Sequence, residues 1–202
     1  SAVGFSVRIS SVIQTLDRLR REERFGQVIS VWSRRLFYMD PSKTQGWRKD
    51  HAKSGGLLLE VNVHELEWMM ALGGEVESVY ARFASDKPGP RSNDHCWFTL
   101  NFKGGAVGQH EGSWLSAMPS YARGMHGAGG GATTDEWGSK LYFAVPGKNR
   151  DEIPLDPAFD LRGNFLDGIE NGAPLYADVN WGLNVMSVAE GIFESAQRQE
   201  VV

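Results

Sequence analysis

Residues 54–82, SGGLLLEVNVHELEWMMALGGEVESVYAR, contain a helix followed directly by a strand. Apolar side chains recur at helical spacing and predict a helix over residues 56–72. The pair Gly73-Gly74 can end that helix, and the β-branched sequence after it predicts a strand over residues 75–84. A helix with one apolar face, followed by a strand, is therefore the starting unit of the fold.

The polar residues of this helix place a histidine between two carboxylates. Residues i and i+4 share a helix face, so Glu60 and His64 can touch, and Glu67 follows His64 by three positions. One interpretation is a solvated helix face. A second is a proton carrier, His64, whose ring Glu60 orients and whose charged form it stabilises. A third is a metal site of Glu60 and His64 with His110, since Glu60 and Glu67 lie about 10 Å apart along the axis, too far to share one ion.

Composition excludes several classes of protein. The 202 residues hold 21 Lys and Arg against 25 Asp and Glu, a net charge of -4 with the signs interspersed, which is no footprint for nucleic acid or anionic lipid. The single cysteine, Cys96, cannot form an internal disulfide and indicates a reduced, cytoplasmic protein. Acidic residues and His64 interrupt the longest apolar run, so we expect no membrane span.

Periodicity along the rest of the chain predicts further elements. Strands are expected over residues 27–38, 96–102, 106–114 and 139–145. The turn KGG joins the strand at 96–102 to the strand at 106–114. Helices are expected from Ser10 or Ser11 to about residue 24, over 160–170 and over 178–197. Strands that follow one another without helices between them favour an α+β fold, a mainly antiparallel, open, twisted sheet with helices packed on one face.

The glycine-rich segment HGAGGGATT, residues 126–134, matches the dinucleotide-binding fingerprint at Gly127, Gly129 and Ala132. That fingerprint works only where a buried strand delivers the glycines to the start of a helix. Neither flanking segment predicts such an element. The sequence therefore predicts a flexible loop here and no phosphate site.

The opening stretch resembles the signature of the Gfo/Idh/MocA family of NAD(P)-dependent oxidoreductases. In that signature a glycine pair precedes an acidic residue, a histidine four positions later, a second acidic residue and a glycine before the strand. Other segments follow in the family's order, namely VGFSVR (3–8), FGQVISVWSRR (25–35), GWRKD (46–50), NFKGGAVGQHEGSW (101–114) and GAPLYADVNWGLNVMSVAEGIFESA (172–196). The resemblance covers nearly the whole chain.

The resemblance implies a two-domain enzyme whose N-terminal Rossmann domain binds NAD or NADP. Residues 1–9 would be the last strand of that domain, and residues 10–202 the C-terminal substrate-binding and oligomerisation domain. The glycine fingerprint and the family's Glu-Lys-Pro segment would precede residue 1. We therefore expect this chain alone to bind no cofactor and to be inactive.

The resemblance also assigns roles to residues. The family's acidic residue and histidine map onto Glu60 and His64, so His64 would contact the substrate hydroxyl that exchanges its proton as hydride moves. Glu60 stands where Asp is commoner and Asn62 where Gly is frequent, departures that bear on which substrate is bound. Asn62 and the second acidic residue, Glu67, are assigned to substrate binding.

Two further pairs are candidates for contacts with a substrate. Trp47 and Arg48 lie just before the helix, where family members often place substrate-contacting groups, although a solvated loop is an equal alternative. Arg34 and Arg35 are neighbours on a predicted strand, so at most one of them faces a cleft.

These expectations lead to a functional hypothesis with two alternatives. The chain would belong to a cytoplasmic enzyme that oxidises a hydroxyl of a sugar, polyol or related small molecule, or reduces the ketone, with NAD(P) as the hydride carrier. A homodimer or tetramer would form through the open sheet face. The alternatives are a non-catalytic assembly domain, in which His64 is structural, and metal-assisted hydrolysis.

Overall fold

A computed structural model describes residues 1–40, 42, 45–85 and 93–202. In these residues nine strands form one sheet. The strands are β1 (Val28–Tyr38), β2 (Val76–Ala84), β3 (His95–Phe102), β4 (Val107–Ser113), β5 (Leu115–Ser120), β6 (Arg123–Gly127), β7 (Gly131–Thr134), β8 (Leu141–Ala144) and β9 (Asp151–Ile153). The helices are α1 (Ser11–Arg21), α2 (His51–Ser54), α3 (Val63–Gly73), α4 (Leu161–Glu170) and α5 (Val179–Arg198).

The sheet is mainly antiparallel, and its strand order is β2-β3-β4-β1-β6-β7-β8-β9, with β5 also paired to β1. Only the pairing of β1 with β4 is parallel among the described strands. Helices α3 and α5 pack on the sheet, and α1 packs on α3. The predicted α+β fold, with an open sheet and helices on one face, is confirmed.

Strand alternation separates the two faces of the sheet. On β3, the side chains that face the helices are buried: Cys96, Phe98 and Leu100. Trp97, which lies between Cys96 and Phe98 in the sequence, is 55% exposed on the other face. Burial of the aliphatic and aromatic side chains between sheet and helices supplies the main stabilising free energy. No helix in the described ranges is long and apolar enough to cross a membrane.

Helix boundaries follow the predicted signals closely. Helix α5 begins after Asp178, whose side chain accepts a hydrogen bond from the Trp181 amide, and Asp160 accepts one from Gly163 at the start of α4. Ser10 stands at the cap of α1 but makes no side-chain cap hydrogen bond. Helix α1 ends at Arg21, three residues before the predicted end.

The glycine-rich segment 126–134 is not a flexible loop, and that prediction is wrong. It forms most of the β6–β7 hairpin, in which the Gly127 amide donates to the Gly130 carbonyl. The Gly129 amide donates to Phe25, and a Cβ on Gly127 would lie 2.2 Å from the Phe25 carbonyl oxygen. The glycines are required by close backbone packing, which local sequence patterns do not distinguish from flexibility.

The first residues also differ from their strand-like pattern. Ala2 forms an isolated bridge with Asp178, and residues 3–9 lie in no strand. The assignment of residues 1–9 to a Rossmann domain, and of residues 10–202 to a separate domain, stays a prediction. Strands β5 and β9, which were not predicted, are short and largely exposed, so they carry little apolar signal.

Candidate functional site

The long helix predicted over residues 56–72 contains a wider, π-helical turn over Leu58–Asn62. Gly55 and Gly56 both have positive φ and turn the chain into this helix. Buried Asn93 closes the first turn: its carbonyl groups accept hydrogen bonds from the Leu57 and Leu58 amides, and its Nδ2 donates to Gly55. π-Helical turns are frequent at functional sites, and this one carries Glu60.

His64 lies just after the π-helical turn and is half-buried. Its Nδ1 is buried without a hydrogen-bond partner in the described structure, which leaves Nε2 as the nitrogen open to a ligand. The edge of Phe5 covers the ring, with centroids 6.1 Å apart. Burial lowers the pKa of His64, the charge of Arg35 lowers it further, and the charge of Glu65 opposes both. The ring is therefore neutral near pH 7 and can accept a proton.

Glu60 is bound by Arg48 rather than by His64. Its Oε2 lies 3.3 Å from Arg48 Nε, and its Oε1 is buried without a partner among the described residues. The Arg48 guanidinium lies over the Trp47 ring, 5.5 Å from the centroid. No hydrogen bond joins Glu60 to His64 in the ranges described, so an orienting role for Glu60 stays a prediction.

Trp47 and Arg48 lie in a single 3-10 turn, Gly46–Lys49, and both are exposed. Trp47 is 57% exposed, so part of its ring remains accessible to an apolar face of a ligand. Through Arg48, this turn is tied to Glu60. The structure thus brings together Trp47, Arg48 and Glu60 near one end of the long helix.

Asn62 and Glu67 are both completely buried. The Asn62 side chain packs on β4 so closely that a Cβ on Gly112 would lie 2.0 Å from Nδ2. Glu67 Oε1 lies 2.8 Å from Arg8 Nε and accepts a hydrogen bond of 2.6 Å from Trp181 Nε1. Burial raises the pKa of Glu67 to about 7, although the Arg8 charge and the Trp181 hydrogen bond act to lower it. Substrate binding by Asn62 and Glu67 stays a prediction, and we leave both out of the proposed site.

A buried ion-pair cluster that the sequence did not reveal surrounds Glu65. Arg123 donates to both carboxylate oxygens of Glu65, Trp68 Nε1 donates to Oε2 at 2.7 Å, and Arg35 Nη1 donates to Oε1 at 3.3 Å. Burial alone would raise the pKa of Glu65, but the charge and hydrogen bonds of Arg123, with further positive charge nearby, lower it to about 2. Arg123 was missed because it begins β6, the strand that runs into the glycine-rich segment.

His110 does not join Glu60 and His64. It is buried on β4, and its Nδ1 is hydrogen-bonded to the Ser33 hydroxyl at 2.6 Å. Burial lowers the pKa of His110 to about 4, so the ring is neutral. No group of three potential metal-ligating side chains occurs in the described part of the chain. The arrangement does not favour metal-assisted hydrolysis through Glu60, His64 and His110.

The sequence matches a known protein family over more than half of its length. The model of the GFO/IDH/MocA C-terminal domain matches residues 13–133. No curated protein matches the sequence significantly.

Solved structures share the fold at low identity. An aldose-aldose oxidoreductase from Caulobacter crescentus superposes with a TM-score of 0.86 at 21% identity, over 100% of this chain and 63% of that one. A levoglucosan dehydrogenase in complex with NADH gives 0.86 at 20% identity, over 99% and 64%. The WlbA dehydrogenase from Bordetella pertussis, in complex with NADH and UDP-GlcNAcA, gives 0.80 at 19%, over 100% and 62%. The chain thus spans slightly less than two thirds of the length of each relative.

Proposed function

The chain belongs to the GFO/IDH/MocA family, and from that premise we propose that it is the substrate-binding domain of an NAD(P)-dependent oxidoreductase. The reaction is the oxidation of a hydroxyl on a sugar, polyol or related compound, or reduction of the ketone. The family model and the partial coverage of relatives solved with NADH support this proposal.

The observation that carries the proposal is His64. Its Nε2 is open to a ligand, its Nδ1 has no partner within the described residues, and the lowered pKa keeps it neutral. A neutral imidazole beside a substrate hydroxyl is suited to remove the proton in oxidation and return it in reduction.

The residues that match the dinucleotide-binding fingerprint do not form a dinucleotide site. Residues 126–134 lie in and around the β6–β7 hairpin and do not lead from a strand to a helix N-terminus, so they present no row of free amides to a pyrophosphate. A nicotinamide bound by a neighbouring domain would take or supply the hydride.

The residues of this chain perform the remaining tasks in the proposed reaction. His64 Nε2 accepts the hydroxyl proton as the carbon–oxygen bond gains double-bond character. The Glu60 carboxylate, held by Arg48, accepts a hydrogen bond from a second hydroxyl, and the Trp47 ring covers an apolar face of the substrate. Phe5 packs against the His64 ring and supports its position.

We also propose assembly through the open sheet face. Trp97, which is 55% exposed, leaves apolar area on that face, and large exposed apolar areas usually bind a partner. A homodimer or tetramer would cover it.

The experiment that tests the proposed reaction uses the intact protein that contains this domain. Reduction of NAD+ or NADP+ is followed by absorbance across a panel of sugars, polyols and sugar acids. We expect saturable turnover with at least one compound, and a fall in kcat/KM of roughly 10- to 100-fold in Glu60→Gln, the worth of one or two hydrogen bonds to a charged group. The absence of hydride transfer across the panel would count against the proposal.

A further inference from the structure

Arg35 is a charged group near the proposed site that the proposed reaction does not yet use. It lies on β1 next to Arg34, and successive side chains on a strand point to opposite faces. Arg34 pairs with Glu111 on the open face at 2.9 Å, whereas Arg35 points toward α3 and donates to Glu65. The side chain of Arg35 is 24% exposed, so part of it remains within reach of a ligand.

The protein uses little of the hydrogen-bonding capacity of Arg35. Arg123 occupies both oxygens of Glu65, and Arg35 makes one long contact, 3.3 Å from Nη1 to Oε1. Its Nε is buried without a partner in the described structure. Nη2 is on the same edge of the guanidinium as Nε, so an acceptor that reaches this edge meets unused donors. Buried N–H groups without partners are rare, and each one calls for an explanation.

The positive and negative charges of the cluster around Glu65 do not balance. Two guanidinium groups, Arg35 and Arg123, share the single carboxylate of Glu65, which leaves a net charge of +1 on these three side chains. The nearby pair of Arg48 and Glu60 is neutral as a whole. His64 is uncharged near pH 7, so one positive charge in this set of side chains is not balanced by a carboxylate.

Arg35 and His64 belong to the same region of the molecule. Glu65, which Arg35 contacts, follows His64 directly on α3, and the Arg35 charge acts on the His64 ring, where it lowers the pKa. The inference requires that a substrate whose hydroxyl reaches Nε2 of His64 extends as far as the Arg35 guanidinium. This step rests on the proposed function, in which the substrate hydroxyl lies against His64.

We propose that Arg35 binds a carboxylate of the substrate, so that the substrate class is acidic: uronic acids, aldonic acids or related hydroxy acids rather than neutral sugars. A planar guanidinium edge with two donors matches a carboxylate, and hydrogen bonds between two ionised groups are roughly twice as strong as neutral ones. A hydroxymethyl group in the same place gains no such charge assistance. The inference rests on the proposed function, and it names the substrate class of that site.

The test compares ligands that differ in one group. D-glucuronate is paired with D-glucose, D-galacturonate with D-galactose and D-gluconate with D-sorbitol, and binding to the intact protein is measured by calorimetric titration. We expect at least one acid to bind at least about 10-fold more tightly than its neutral partner, which is about 1.4 kcal/mol. We expect the preference to weaken in 0.5 M NaCl, because salt screens accessible charges. Equal binding within every pair, or no binding of any acid, would overturn the proposal.

Arg34 provides a matched control for Arg35. Arg35→Gln should reduce the preference to within about 2-fold, and Arg34→Gln, on the opposite face of the same strand, should retain it. Melting curves identify a variant that does not fold, and in that case Arg35→Lys, which keeps the charge, should retain part of the preference. A preference that survives Arg35→Gln in a folded protein, or that Arg34→Gln abolishes equally, contradicts the assignment.

This binding test is independent of turnover. Calorimetry needs no dinucleotide, so no hydride transfer takes place during the measurement. If acids bind through Arg35 but no hydroxyl is oxidised, the proposed function fails and the carboxylate site stands. If oxidation occurs with neutral sugars only, the proposed function stands and this inference fails.

Discussion

Glu65 is the residue whose replacement should cost most stability. It is fully buried, and three side chains donate hydrogen bonds to it. Glu65→Gln would leave Arg123 buried without its counterion, and breaking a buried pair in this way costs about 3–5 kcal/mol. Urea unfolding gives the free energy, and Glu111→Gln, which removes the partly exposed partner of Arg34, should cost less than about 1 kcal/mol. Equal losses in the two variants would contradict the importance of the buried cluster.

The pH dependence of stability follows from two lowered pKa values. The pKa of His110 falls from 6.5 to about 4 on folding, so the unfolded chain binds its proton first and stability declines as the pH falls from 6.5 toward 4. The pKa of Glu65 falls from 4.5 to about 2, so its contribution is complete above pH 4.5 and is lost as the pH falls toward 2. Unfolding free energies at a series of pH values should fall through both windows, and Glu65→Gln should remove the contribution of the Glu65 carboxyl from the lower one. An unchanged slope below pH 4.5 in that variant would contradict the assignment.

At the residue scale, spacing within one helix was sufficient to select candidates, and their functional roles stay predictions. Glu60 and His64 were identified from their separation of four residues, although Arg48, rather than His64, binds Glu60. The cluster of Glu65, Arg35 and Arg123 was not predictable. Arg35 and Arg123 lie 30 and 58 positions from Glu65 in the sequence and meet it only in the folded protein. Asn93 was missed for the same reason, since its hydrogen bonds cross to a helix that begins 37 positions earlier in the sequence.

At the scale of elements, the β6–β7 hairpin depends on Gly127. A Cβ there would lie 2.2 Å from the Phe25 carbonyl oxygen and 2.7 Å from that of Gln27, and backbone atoms cannot move aside cheaply. Gly127→Ala should therefore destabilise the protein by about 1–3 kcal/mol.

Gly104 provides the control, because nothing lies within 4 Å of a Cβ built on it. Gly104→Ala should be neutral or should stabilise by up to about 1 kcal/mol, because it restricts the unfolded chain. Chemical unfolding of both variants is the measurement. A neutral Gly127→Ala would show that the close backbone approach is not required.

Elements with strong periodicity were predicted almost to the residue, and those without it were not. Helix α5 and strands β2 and β3 carry apolar patterns that match their burial, whereas β6 and β7 are built from small residues whose pattern resembles a loop. The parallel pairing of β1 with β4 joins segments far apart in sequence, and no local pattern specifies it. The fold class was therefore predictable, and the strand order was not.

At the scale of the whole molecule, the open sheet face should determine the oligomeric state. Light scattering at tens of micromolar should report a dimer or tetramer, and Trp97→Asp should shift it toward monomer by placing a charge on that face. Trp137, which is 62% exposed but lies in the turn between β7 and β8, provides the control, and Trp137→Asp should leave assembly intact. A strictly monomeric parent protein, or equal effects of the two variants, would contradict assembly through this face.

The central claim is that His64 moves the proton of the substrate hydroxyl, and steady-state kinetics of His64→Gln in the intact protein test it most directly. We predict a loss of turnover of about 10²- to 10⁴-fold in a variant that melts normally and binds dinucleotide normally. In the parent enzyme, kcat/KM for oxidation should also fall as the pH is lowered, with a midpoint below pH 6.5, because burial lowers the pKa of His64 from 6.5. Turnover retained in a folded His64→Gln protein would contradict the claim and favour a structural role for His64.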